Sequence, residues 1–104
     1  MLTVLVQFQL PASVTREQAE KLFARIAGIY HEIPGLIRKY FLLAEDGKTA
    51  GGVYLWRTRQ EAESFYNENF KLAIAEKFGS EPSITYFESP VVVDNLTGET
   101  ITSR

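Results

Sequence analysis

Cysteine is absent from the 104 residues, and histidine occurs once. The first absence excludes disulfides, thiol nucleophiles and thiolate metal sites, so the fold must rest on packing. The second makes a histidine-based metal site or a serine-histidine-aspartate arrangement a poor expectation. No apolar run approaches the roughly 20 residues of a membrane span. The start, Met1 to Val6, lacks a basic stretch and a small-residue cleavage site. A cytoplasmic protein with no membrane partner is therefore expected. A basic excess is missing too: the net charge of −2 argues against nucleic acid as a partner. Phosphate-cradling glycine patterns are lacking, since Gly51 and Gly52 open a strand rather than join a strand to a helix.

What the chain does have is apolar and aromatic material: 45% of it is hydrophobic, with seven Phe, five Tyr and one Trp. That is enough for the core of one domain, expected over residues 1–94, with 95–104 as a polar, loosely held C-terminal tail. Leu2, Val4, Val6, Phe8 and Leu10 alternate as in a strand, and Pro11 ends it. Thr15 to Gln18 has capping-box spacing, and Ala19, Leu22, Phe23, Ile26 and Tyr30 continue at helical intervals, predicting a helix over 15–31. Pro34 and Gly35 break it. Strands are predicted from Leu36 to about Ala44 and from Gly51 to Arg57, joined through the polar turn Glu45 to Thr49 as a hairpin. Thr58 to Glu61 repeats the capping spacing ahead of a second helix, with a bend near Asn67 or Asn69 and a stop at Gly79. A fourth strand spans Ser83 to Glu88. Val91 to Val93 reads either as an arm pairing with an edge, the partner's included, or as a fifth strand folded onto its own sheet.

The order β, α, β, β, α, β is the split pattern of a ferredoxin-like α+β fold, a four-stranded antiparallel sheet with both helices on one face. The other face must then carry either Tyr54 and Trp56 or Val53 and Leu55. Neither pair belongs in water, and the expected cover is a second copy of the chain, sheet against sheet in a homodimer.

Three stretches, Ile33 to Leu36, Ala50 to Trp56 and Glu61 to Tyr66, resemble the dimeric α/β-barrel superfamily and, within it, the YdhR-like mono-oxygenase group. The resemblance covers about residues 1–94. It implies a homodimeric barrel with a ligand cavity in each subunit between helices and sheet. It also implies oxidation of a small aromatic, phenolic or polycyclic compound without metal, flavin or other cofactor. The alternative is a non-catalytic module, ligand-binding or stress-responsive, using the same cavity. In the haem-degrading branch the axial histidine lies on the second helix, where this chain has Phe65, Tyr66, Asn67 and Asn69, so haem binding of that kind is not expected.

The expected catalytic residues are Gln7, His31 and Trp56, and the expected substrate-binding residues are Tyr40, Tyr54, Phe65 and Tyr66. Gln7 stands about where related monooxygenases carry a cavity amide, yet it also reads as a half-exposed strand residue. His31 has a side chain suited to proton transfer near neutral pH, and equally reads as a dipole-complementing residue at a helix end. The aromatics can wall a pocket for a flat ligand or simply form core. Arg38 and Lys39 point to opposite sheet faces, and one of them is expected to meet a buried carboxylate or the dimer partner, with Glu88 as a candidate mate.

Overall fold

The structure is a computed structural model that describes residues 1–102. It contains β1 (Leu2–Gln9), α1 (Arg16–Ile26), a 3-10 helix (Ala27–Glu32), β2 (Leu36–Leu43), β3 (Thr49–Trp56), α2 (Arg59–Phe65), α3 (Glu68–Phe78), β4 (Ser83–Glu88), β5 (Val91–Asp94) and β6 (Glu99–Thr102). The first four strands form one antiparallel sheet in the order β2-β3-β1-β4, the ferredoxin-like arrangement expected from the element order.

Local chemistry accounts for the element ends. Thr15 accepts from the Gln18 amide at 3.1 Å while its own amide donates to Gln18 Oε1 at 2.9 Å, closing the capping box of α1. The predicted first helix changes pitch after Ile26 and finishes as the 3-10 helix, which ends before Pro34. The predicted second helix is two helices. Tyr66 leaves helical geometry, and Asn67 caps α3 by accepting from the Phe70 amide at 3.0 Å.

The sheet register sorts the side chains. Leu2, Val4, Val6 and Phe8 of β1 and Ala50, Tyr54 and Trp56 of β3 are buried on the face that the helices cover. On the same face Lys39 lies opposite Tyr54, and Phe41 opposite Gly52. The opposite, open face carries Leu5, Gln7, Leu42, Val53 and Leu55, together with Tyr40 and Phe87, which are 53% and 50% exposed. Of the two pairs considered from sequence, Val53 and Leu55 take the open face.

Gly51 and Gly52 let the strands approach closely. A Cβ on Gly51 would collide with the Val6 carbonyl oxygen, and one on Gly52 would press against the Lys39 stem and the Tyr54 ring, both at 3.1 Å.

The C-terminal end differs from expectation. β5 does not join the main sheet. It pairs with β6, so that Asp94 faces Glu99 and Val91 faces Thr102. The polar stretch expected as a loose tail thus supplies a hairpin strand. Asp94 Oδ1 accepts from the Leu96 amide at 3.0 Å and stabilises the turn. The hairpin is also tied to the sheet, because Arg38 donates to Asp94 Oδ2 at 2.9 Å. This hydrogen bond lowers the Asp94 pKa and raises that of Arg38. Asp94, rather than Glu88, is the mate of Arg38. Glu88 lies on β4, at the opposite edge of the sheet.

Candidate active site

Between the covered face of the sheet and the helices lies a cavity of about 190 Å³. Its floor is Val6 and Phe8 from β1, Lys39 and Phe41 from β2, and Tyr54 from β3, with Gly51 at the edge. Its roof is Phe23 and Ile26 from α1, Tyr30 from the 3-10 helix, and Phe70, Ile74 and Lys77 from α3. Alternation brings one residue in two from each strand to the cavity, and helical spacing brings Phe70, Ile74 and Lys77 down one face of α3.

Lys39 is the polar centre of this space. Its Nζ lies 3.4 Å from the centroid of the Tyr30 ring, 3.9 Å from Phe41 and 4.6 Å from Tyr54. Among the described residues no carboxylate lines the cavity. Burial pushes the Lys39 pKa down to about 7, because an ammonium loses hydration there. The negative ring faces act the other way and favour the charged form. The Tyr54 hydroxyl is pushed upward, by burial first and then by the neighbouring Tyr30 and Tyr66. Tyr30 is also raised by burial, a hydrogen bond with Tyr54 opposing the shift.

Behind Tyr54 stands a packed aromatic wall. Trp56 is fully buried and its indole donates to the Tyr66 hydroxyl at 3.0 Å. Tyr54 stacks on Trp56 with centroids 6.2 Å apart, and Phe65 meets Tyr66 edge to face at 5.1 Å. The Tyr66 pKa is raised by burial, with the Trp56 hydrogen bond working against the shift.

The residues singled out from sequence therefore fall in four places. Tyr54 lines the cavity. Trp56, Phe65 and Tyr66 form the wall behind it. Gln7 and Tyr40 are exposed on the other face of the sheet. His31 is exposed and lines an outer depression of about 410 Å³, together with Arg38 and Ile37. Tyr30, Lys39 and Phe41 line both the cavity and this depression and so stand between them. Sequence reasoning gave Lys39 no cavity role. The signal was its spacing, two residues before Phe41 and four before Leu43, on the apolar side of β2. Among the described residues no cluster of three or more His, Asp or Glu is placed to hold a metal ion.

A wider groove of about 510 Å³ runs between the start of α1 and residues 45–48. Its Arg16 is already engaged, donating to the Ala44 and Glu45 carbonyls at 2.8 and 3.3 Å.

The family profile described as "Putative mono-oxygenase ydhR" matches residues 3–90. The chain belongs to the ydhR family. No curated protein sequence matches it significantly. Among solved structures, one described as a "putative antibiotic biosynthesis monooxygenase" from Deinococcus radiodurans superposes with a TM-score of 0.69 at 12% identity, over 90% of this chain and 97% of that one. A monooxygenase from the gene ActVA-Orf6 of Streptomyces coelicolor, in complex with nanaomycin D, gives 0.63 at 14% identity, over 85% and 86%. A single-residue mutant of SnoaB, a cofactor-independent oxygenase from Streptomyces nogalater, gives 0.59 at 18% identity, over 85% and 91%. At such identities these similarities speak to the fold that the ydhR-family chain shares with them.

Proposed function

We propose that this ydhR-family chain is a cofactor-independent mono-oxygenase acting on a small aromatic, phenolic compound held between its helices and its sheet, and that it works as a homodimer. The observation that carries the reading is the aromatic-lined cavity around Tyr54 and Lys39, in a chain of a family named for mono-oxygenase activity. Tyr54 binds the substrate ring, while Trp56, Phe65 and Tyr66 hold Tyr54 rigid rather than touching substrate. The largely apolar lining displaces water from around an ionised, electron-rich substrate while dioxygen, the co-substrate, reacts with it. A proton must leave the substrate hydroxyl first. Gln7 and Tyr40 belong to the surface that the second copy covers, and His31 serves the outer depression.

Two neighbours support the choice of ligand class by analogy: one is described with nanaomycin D bound and another as a cofactor-independent oxygenase. The exposed rings of Tyr40 and Phe87, with Leu5, Val53 and Leu55 between them, support the dimer. A second reading, a binding module without turnover, is favoured by one feature: among the described residues neither carboxylate nor imidazole lines the cavity.

Oxygen consumption with a panel of hydroxylated one- and two-ring aromatics tests the first reading. Uptake that disappears in Ile74→Phe, which fills the cavity from α3, is the expected result. Saturable binding without oxygen uptake by any compound transfers the assignment to the module. Sedimentation tests the dimer. Leu55→Arg should weaken self-association by about a hundredfold or more, since a charge is placed in an apolar contact, and a wild-type monomer at micromolar concentration removes the dimer from the proposal.

A further inference from the structure

We propose that Lys39 is the residue that takes the proton from the ligand's acidic hydroxyl and then holds the resulting phenolate, so that the cavity selects a one- or two-ring aromatic bearing such a group. This rests on the reading of the cavity as an aromatic-ligand site and deepens it.

Four observations carry it. Lys39 reaches the cavity on the covered face of the sheet, and its Nζ lies within 3.4 to 4.6 Å of three ring centroids. A lysine buried only to shield its stem directs its amine to water or to a carboxylate. Here Nζ lies over ring faces instead. The other titratable residues that line the cavity are Tyr30, Tyr54 and Lys77, and His31 and Arg38 line the outer depression. Among the described residues no carboxylate lines either space, so the site lacks the anion that a buried ammonium requires. An anionic ligand supplies it.

The second observation is size. At about 190 Å³ the cavity is smaller than the roughly 300 to 1,000 Å³ of pockets that enclose drug-sized molecules, which suits one or two rings better than a long polycycle. The third is the floor. Gly52 presents no side chain, and a Cβ there would come within 3.1 Å of Lys39 Cε and Tyr54 Cε1, so this glycine keeps room for the lysine stem beside the ring. The fourth is access: Lys39 borders both the cavity and the outer depression, so a proton taken from inside has a path to solvent.

The step balances simply. The substrate O–H bond breaks, its electron pair stays on oxygen as the phenolate, and a new N–H bond forms on the neutral Lys39 amine to give the ammonium. Nothing is oxidised or reduced. Burial of the amine keeps the free base accessible near neutral pH, and the ammonium formed is then stabilised by both the phenolate and the surrounding rings.

The test uses 4-nitrophenol, whose ionised form is yellow, and its methyl ether 4-nitroanisole, which cannot ionise. Below the probe's own pKa, the wild-type dimer or monomer as purified should bind 4-nitrophenol with appearance of the phenolate band, shifting the apparent probe pKa down by about one unit or more, a tenfold preference. Lys39→Met, which keeps the apolar stem, should bind the probe without the band and bind 4-nitroanisole as the wild type does. Lys39→Gln replaces it if the methionine chain does not fold, and Lys21→Met, on the exposed side of α1 away from the cavity, should retain the band. A band absent from the wild type, or persisting in the folded Lys39 variant, overturns the role of Lys39. If 4-nitroanisole still binds in that case, the aromatic cavity stands without it. If neither probe binds the wild type, the cavity reading fails and the lysine role fails with it.

Discussion

The two faces of the four-stranded sheet are built from the same strands and both carry large apolar residues, yet they have different fates. The covered face is closed by α1, α2 and α3, and its rings interlock: Trp56 is fully buried and Tyr54 is 3% exposed. The open face mixes Leu5, Leu42, Val53 and Leu55 with polar residues, and its Tyr40 and Phe87 are half exposed. Polar groups also behave differently on the two faces. On the open side Arg38 finds a carboxylate, Asp94, at 2.9 Å. On the covered side Lys39, its immediate neighbour, finds only rings. One residue of strand alternation thus separates a solvated ion pair from an amine held in an aromatic cage, and environment rather than residue type decides what each cation can do.

The contrast can be broken most forcefully by deleting matched apolar groups from each face. Trp56→Ala should cost about 3 to 5 kcal/mol of folding stability, and Leu55→Ala, in dilute monomer, less than about 1.5 kcal/mol. Equal losses in urea melts would mean that the open face is as tightly packed as the core. A smaller effect comes from Tyr66→Phe. It strands the buried Trp56 indole N–H, whose acceptor at 3.0 Å is removed, and should cost about 1 to 3 kcal/mol. A melt unchanged by Tyr66→Phe would show that water or another acceptor replaces the hydroxyl.

The Lys39 environment sharpens the comparison through pH. Its pKa falls from 10.5 in the unfolded chain to about 7 when folded. Between those values the unfolded chain binds the extra proton, so stability rises with pH across this window, at no more than about 1.4 kcal/mol per pH unit. Below about pH 7 the amine is charged in both states and the burial cost is fully felt. Denaturant midpoints from about pH 7 to about pH 10 should climb in the wild type relative to Lys39→Met, and parallel profiles would contradict the burial of a neutral amine. The smallest effect is expected on the open side. Arg38→Ala breaks an ion pair whose arginine is well exposed and should leave global stability nearly unchanged. It should nonetheless speed amide exchange in the β5–β6 hairpin. An unchanged exchange rate would show that the hairpin holds by its own pairing.

The elements were largely legible because their signals are local. The Thr15 and Thr58 caps, the Pro34 break and the alternation of β1 and β4 each involve groups a few residues apart. Asn67 was visible as a bend, since a capping residue inside a helical pattern interrupts it. The hairpin at residues 91–102 was missed because its pairing depends on a turn whose polar composition also reads as a tail. The site was less legible. Large aromatics stand out at any position, but of those expected at the site Tyr54 lines the cavity whereas Trp56, Phe65 and Tyr66 pack behind it, a difference that spacing along the chain does not decide. Gln7 and Tyr40 were expected at the cavity yet lie on the open face, as parity along β1 and β2 requires once Val6 and Phe41 face inward.

Sequence alone determined the order of the four main strands and the helical segments between them, most of their caps and breaks, and the presence of large apolar residues on both sheet faces, because these follow from spacing and composition along the chain. Only the tertiary structure decided which parity of β2 and β3 faces the helices, and with it that Lys39 rather than Arg38 enters the aromatic cavity. Alternation fixes that neighbours point apart. Which of them points inward depends on the packing of residues far apart in the chain.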